Sequence, residues 1–260
     1  MKKIKTILVF CLSLALVLCI SAGALADDAK LSVEKSELKY LPEVNTQELQ
    51  RRDMPYKDVE KSAWYYLFIS YFDKLGTING VSPTSFAPEQ DVTRGEFAKF
   101  LATVKTSYSD KIVISNPFLD VPSSAWYAAY VQWAFDNGVI IGKTPTAFYP
   151  EDFITREESA IMLYRFVDGE QFIEDGYVRP YMIEGSKPFG DEGDVSPDAQ
   201  AAVKFLRETG LFFGDENHNF RPKDNIKRCE VMKLLCCYLM TVTRPPFTND
   251  DGRPPIEFIE

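Results

Sequence analysis

His218 is the only histidine in the chain. A Ser–His–Asp or Cys–His nucleophilic site would rest wholly on that ring, and no Gly-x-Ser-x-Gly turn accompanies it. Cysteine is also scarce. Cys229, Cys236 and Cys237 form an odd, clustered set beyond the N-terminal segment, which is not a disulfide framework. Without a Cys-x-x-Cys pair or a second histidine there is no zinc site, and the three thiols read as small apolar core residues. Glycines are too dispersed for a phosphate-cradling loop. Asp215, Asn217 and Asn219 imitate the opening of a calcium loop, but Phe220 and Ile226 stand where glycine and glutamate are required. Paired carboxylates carry no signal among 38 acidic residues.

Positive charge is in deficit: 29 lysines and arginines face 38 acids, a net charge of −9. That excludes a nucleic-acid partner and general attraction to anionic surfaces, so an acidic ligand would need local cations. Long apolar runs are limited to Thr6–Ile20, which follows basic Lys2, Lys3 and Lys5 and precedes Ala24-Leu25-Ala26. This pattern predicts an export signal over 1–26, cleaved after Ala26, and hence a secreted chain. An uncleaved anchor is the competing reading, and Leu18 is too bulky for lipidation at Cys19. After cleavage no membrane-spanning segment remains.

What the chain has is repetition. Aligned on Gly76, Gly138 and Gly210, it matches Gly80, Gly142 and Gly214, then Phe86, Phe148 and Phe220, then Pro88, Pro150 and Pro222. Arg94, Arg156 and Arg228 follow in register, and then Glu96, Glu158 and Glu230. Upstream, Asp58-Val59 and Asp120-Val121 pair with Asp194-Val195, which makes the third repeat two residues shorter there. Trp64 and Trp126 correspond, and the third repeat has no tryptophan.

Each unit reads as helix, loop, helix. Leu67, Phe68, Tyr71, Phe72 and Leu75 have helical spacing, and Gly76 stands where a helix end wants a left-handed residue. Thr93 and Glu96 form a capping box before a second apolar face of Phe97, Phe100, Leu101 and Val104. Thr155 and Glu158 repeat it, whereas Lys227 breaks it in the third copy. One helix pair buries little apolar area alone, so the repeats must share a core. Periodicity leaves open whether they stack linearly or close on one another. The expected organisation is a 27–52 linker, repeats over 53–110, 111–168 and 169–243, the last with a leading loop insertion, and a proline-rich tail over 244–260.

These motifs resemble the S-layer homology family. The second repeat carries them most fully, as Phe118-x-Asp120-Val121, Trp126, Gly138, Gly142, Phe148-x-Pro150 and Ile154-Thr155-Arg156-Glu157-Glu158. The Thr-Arg-x-Glu box appears as TRGE, TREE and KRCE. The family's frequent Asp-Gly pair before the phenylalanine is missing. The resemblance covers residues 53–243 and implies an all-α fold of three repeats in a pseudo-threefold arrangement, one helix of each in a central bundle. It implies a binding module, not an enzyme, that needs no cofactor. Its grooves between repeats would anchor the protein to the cell wall through an anionic secondary polysaccharide, often pyruvylated, or through a peptidoglycan-linked polymer.

The arginine of the box is the family's anionic-sugar residue, here Arg94, Arg156 and Arg228. An arginine at a helix N-terminus opposes the macrodipole, and a bound carboxylate would reverse that balance by meeting guanidinium and free N–H groups together. Trp64 and Trp126 offer flat surfaces for a sugar face, and Asp58, Asp120 and Asp194 can accept from its hydroxyls. Internal ion pairing of the arginines, burial of the tryptophans and capping by the aspartates are the structural alternatives. On this reading the groove of Arg228, placed in the repeat without an indole, should contribute least. Degenerate repeats that bind protein in the envelope are the alternative function.

Overall fold

The computed structural model describes residues 46–104, 113–169 and 186–242. The expected export signal, most of the 27–52 segment, the 170–185 insertion, the 110/111 repeat junction and the 244–260 tail lie outside the described residues.

A short helix α1 (Thr46–Arg51) precedes three helix pairs. These are α2 (Tyr66–Leu75) with α3 (Arg94–Val104), α4 (Ala128–Asp136) with α5 (Arg156–Gly169), and α6 (Gln200–Glu208) with α7 (Arg228–Val242). A 3₁₀ turn, Glu192–Asp194, leads into α6. Among the described residues β-structure is confined to isolated bridges. The fold is all-α.

The first helix of each pair ends as its sequence requires. Gly76, Gly138 and Gly210 take φ of 66°, 68° and 68°, and the next N–H reaches back five residues, as in Thr77 to the Phe72 carbonyl. The second helices start at the box. Thr93 N–H donates to Glu96 Oε2 at 2.9 Å while Glu96 N–H donates to Thr93 Oγ1 at 3.2 Å, and Thr155 with Glu158 does the same. In the third repeat half the box survives: Lys227 N–H still donates to Glu230 Oε2 at 2.8 Å, while the Lys227 ammonium pairs with Asp91 of the first repeat.

The two helices of one repeat do not pack chiefly on each other. Among the described elements the major contacts set α3 on α4, α5 on α6, and α7 on α2, so each second helix embraces the first helix of the next repeat and the third returns to the first. The second helices meet at the centre: α3 touches α5 and α7, and the rings of Phe166 and Tyr238 lie 4.9 Å apart.

A ring of backbone hydrogen bonds closes the same cycle. Val92 N–H donates to Ile226, Ile226 to Ile154 and Ile154 to Val92, at 3.1, 3.1 and 2.9 Å, all three side chains fully buried. Closure therefore replaces the linear stack that periodicity allowed, and it removes the exposed ends that a stack must cap.

Between the helices, Phe86, Phe148 and Phe220 sit at 1 % exposure or less. Each such ring contributes about 1.5–3 kcal/mol by its burial. The residue after each phenylalanine is left-handed: Ala87, Tyr149 and Arg221 have φ of 57°, 58° and 56°. An aspartate clamps this strained step by accepting both N–H groups. Asp58 does so for Phe86 and Ala87, Asp120 for Phe148 and Tyr149, and Asp191 for Phe220 and Arg221, at 2.6–3.0 Å.

The third aspartate corrects the alignment. Asp191, not Asp194, is the counterpart of Asp58 and Asp120, so the third repeat is not shortened there. Phe189-x-Asp191 matches Phe118-x-Asp120, and Phe189 packs on Phe220 at 5.4 Å as Phe118 does on Phe148 at 5.6 Å. Asp194 lies exposed in the 3₁₀ turn.

N-terminal to the repeats, α1 docks on α2. Leu49 is fully buried, and Arg52 pairs with Asp73 at 2.7 Å. Among the described residues no helix is long and apolar enough to cross a membrane.

Candidate functional site

The three box arginines open α3, α5 and α7, and each reaches across a seam into the next repeat. Nε of Arg94 donates to the Phe148 carbonyl at 2.9 Å, that of Arg156 to Phe220 at 2.6 Å, and that of Arg228 to Phe86 at 3.0 Å. Each guanidinium stacks over that same phenylalanine, 4.6, 5.3 and 4.8 Å from the ring centroid. Nη1 then meets the box glutamate of the next repeat: Glu158 at 3.6 Å, Glu230 at 2.7 Å and Glu96 at 3.5 Å. Glu96 and Glu230 thus close their own helix starts with one oxygen and hold a neighbour's arginine with the other, whereas Glu158 uses Oε2 for both and turns Oε1 to Lys143.

The arginines are therefore buried and internally paired, at 5, 3 and 4 % exposure, where the sequence suggested open groups. Burial lowers each guanidinium pKa and the facing glutamate pulls it back, which leaves the group charged. The helix-start N–H groups are also engaged. Arg94 and Gly95 donate to Asp152 and Pro150, Arg156 and Glu157 to Asp224 and Pro222, and Arg228 and Cys229 to Gln90 and Pro88. They join repeats and are not left for an anion, because a buried N–H without a partner would cost stability.

Arg228 nevertheless reaches solvent at the floor of a cleft of about 190 Å³. Its walls come from all three repeats: Asn79 and Gly80 from the first loop, Lys99 and Phe100 from α3, Trp126 from the second repeat and Arg228 from the third. Trp126 is 52 % exposed, and Lys99 Nζ stands 5.7 Å from its ring centroid. A cation, a flat indole face and a guanidinium edge can together take a sugar bearing an acidic group. The Arg156 seam repeats the set. Lys233 Nζ lies 5.9 Å from the half-buried Trp64 ring and 4.9 Å from Phe213, whose carbonyl accepts from Arg156 at 3.2 Å.

The indole at each of these two seams comes from a different repeat than the arginine. The groove of Arg228 does not lack a tryptophan: it holds Trp126. Counting along α6 from Gly210, Asp198 occupies the tryptophan position of the third repeat, and α5–α6 packing sets that residue beside the Arg94 seam. Lys99 and Lys233, three residues after the box glutamate, went unnoticed in the sequence, although that fixed spacing on one helix face is a legible signal.

Asp58 and Asp120 spend their carboxylates on the loop clamp. Burial alone would raise the Asp58 pKa, but the N–H groups of Phe86 and Ala87 and the Ser85 hydroxyl outweigh it and hold the carboxyl below its usual range. The three cysteines are buried and free, and burial pushes the Cys229 thiol up.

The fold and seams define a closed three-repeat protein with a cleft where its units meet at Arg228. The S-layer homology domain model matches residues 55–98, 117–160 and 188–232, together just over half of the chain. The chain belongs to the S-layer homology domain family, whose members operate at the cell surface. It is 30 % identical over 201 residues to an endoglucanase of Bacillus sp. (strain KSM-635), covering 76 % of this chain and 20 % of that protein. It is 33 % identical over 120 residues to the surface-layer 125 kDa protein of Lysinibacillus sphaericus, covering 45 % and 10 %. It is 30 % identical over 157 residues to a cellulosome-anchoring protein of Acetivibrio thermocellus, covering 58 % and 32 %. The chain spans a fifth or less of the two relatives named first, so the matched segment is a minor part of each.

Proposed function

We propose that this chain anchors non-covalently to the bacterial cell wall by holding an anionic secondary polysaccharide, pyruvylated in its reactive units, in clefts between its repeats, and that it catalyses no reaction. The observation that carries the reading is the cleft in which Lys99, Trp126 and Arg228 converge on a chain of net charge −9. An exposed indole flanked by two cations suits an acidic sugar. Family membership and relatives named for surface layers and cellulosome anchoring support the same setting. In this reading Arg94, Arg156 and Arg228 set a positive potential from below the seams, Trp64 and Trp126 stack on the sugar, and Asp58 and Asp120, engaged in the loop clamp, and Asp194, in the 3₁₀ turn, stay outside direct contact.

The test is co-sedimentation of the full chain with purified wall sacculi, before and after acid removal of the polysaccharide. Binding that requires the polymer and falls on Trp126→Ala, with unchanged thermal unfolding, supports it. Binding indifferent to the polymer and to Trp126 rejects it in favour of a protein partner in the envelope.

A further inference from the structure

The three seams share a frame but not a lining. At the Arg228 cleft and the Arg156 seam the residue three beyond the box glutamate is lysine, Lys99 or Lys233, and each ammonium faces an indole. Among the described residues neither ammonium is paired with a carboxylate. In the Arg94 seam the same position is Ile161, half-buried against the core, and the indole is replaced by Asp198. Asp198 acts on Arg165 of α5, so the cation one turn further on is already countered. The remaining cation at that seam, Lys143, lies 3.2 Å from Glu158 and 3.7 Å from Asp152, paired twice over.

Building on the proposed anchoring function, we infer that the chain holds two acidic-sugar ligands, one at Lys99–Trp126–Arg228 and one at Lys233–Trp64–Arg156, and that the Arg94 seam takes none. Lys99 and Lys233 are the residues that decide it. Each offers an ammonium with no anion partner among the described residues beside a stacking surface, so a ligand carboxylate gains a charge-assisted hydrogen bond without breaking such a pair. At the Arg94 seam the same carboxylate would meet an aliphatic side chain, an aspartate and cations that must first give up their partners.

A titration of the full chain with the 4,6-pyruvate ketal of a methyl hexopyranoside, followed by NMR, reads each seam separately. The indole N–H signals of Trp64 and Trp126 should move, and the Ile161 methyl should not. Lys99→Ile should abolish the Trp126 response, or weaken it at least about tenfold, and leave that of Trp64 intact. The paired change Ile161→Lys with Asp198→Trp should bring a third ligand to the Arg94 seam. Movement of the Ile161 methyl in parallel with both indoles, or of one indole alone, overturns the inference while leaving anionic binding standing. No movement at any seam in a chain with native circular dichroism overturns the anchoring function, and this inference with it.

Discussion

Glu230 Oε1 lies 2.7 Å from Arg156 Nη1, while its second oxygen accepts the Lys227 N–H that opens its own helix. One side chain therefore couples helix initiation in the third repeat to closure of the seam with the second. Arg156→Ala should cost on the order of 3 kcal/mol, because it takes the donor from the Phe220 and Phe213 carbonyls and the buried cation from the seam, while Glu230 keeps Arg221 at 3.1 Å. For a chain of this size that is a fall in Tm of roughly 10 °C, readable by calorimetry. Arg156→Lys should recover part of the charge but not the three-way hydrogen bonding, and should fall between. A change within 1 °C for the alanine variant would show the pair to be dispensable.

The loop glycines separate two kinds of strain. A Cβ at Gly142 would stand 2.1 Å from the Thr144 carbonyl oxygen and 2.6 Å from that of Ala147. At Gly138 nothing lies within 4 Å, and the only objection is φ of 68°. Gly138→Ala should therefore cost about 1 kcal/mol, the left-handed penalty alone. Gly142→Ala must displace backbone and should cost more. Urea unfolding of both variants checks the order, and equal costs would contradict it.

Much of this was legible in the sequence, and the parts that were not share a cause. The glycine, Phe-x-Pro and Thr-Arg-x-Glu registers located the helix ends and the box, because those are local backbone demands. The third aspartate was misplaced because the Asp194-Val195 dipeptide imitated Asp58-Val59. The true marker, an aromatic two residues before the aspartate, stands in both Phe118-x-Asp120 and Phe189-x-Asp191, and the packing of Phe189 on Phe220 establishes the match. Groove composition was illegible for a deeper reason. A repeat's own helices are not partners, so its arginine, indole and lysine serve three different seams. Position within a repeat does not reveal which neighbour supplies the wall, and the missing tryptophan was charged to Arg228 when it belongs to Arg94. The burial of the arginines was hidden as well, since an arginine at a helix start is equally compatible with solvent and with a seam.

Acid should loosen the loops before the helices. Hydrogen bonds hold the Asp58 carboxyl below its usual range against burial, Lys223 and Ser196 do so for Glu157, and Lys227 and Asn225 do so for Asp91. A carboxylate with a depressed folded pKa contributes fully above its unfolded value, about 4, and loses that contribution as pH falls through the folded value. Tm should be level from pH 7 to about 5 and decline below about 4. Asp58→Asn should flatten part of that decline, since the amide keeps one acceptor and no longer titrates. An unaltered acid limb in this variant would remove Asp58 from the account.

Wall binding should rank the seams in an order opposite to the one the repeats suggest. Asp198→Ala and Ile161→Ala alter the seam of Arg94 and should leave co-sedimentation with wall polymer within twofold of the parent. Lys99→Ala and Lys233→Ala remove an ammonium that lies near an indole and, among the described residues, pairs with no carboxylate, so stability should change little. Each should weaken binding, and the double variant should lose more than the product of the two, because a polymer held at two clefts gains from effective concentration. Added salt should weaken the parent and flatten the differences, as screening of exposed cations requires. A parent-like double variant with a native melting curve would exclude the two lysines as the contacts that retain the polymer.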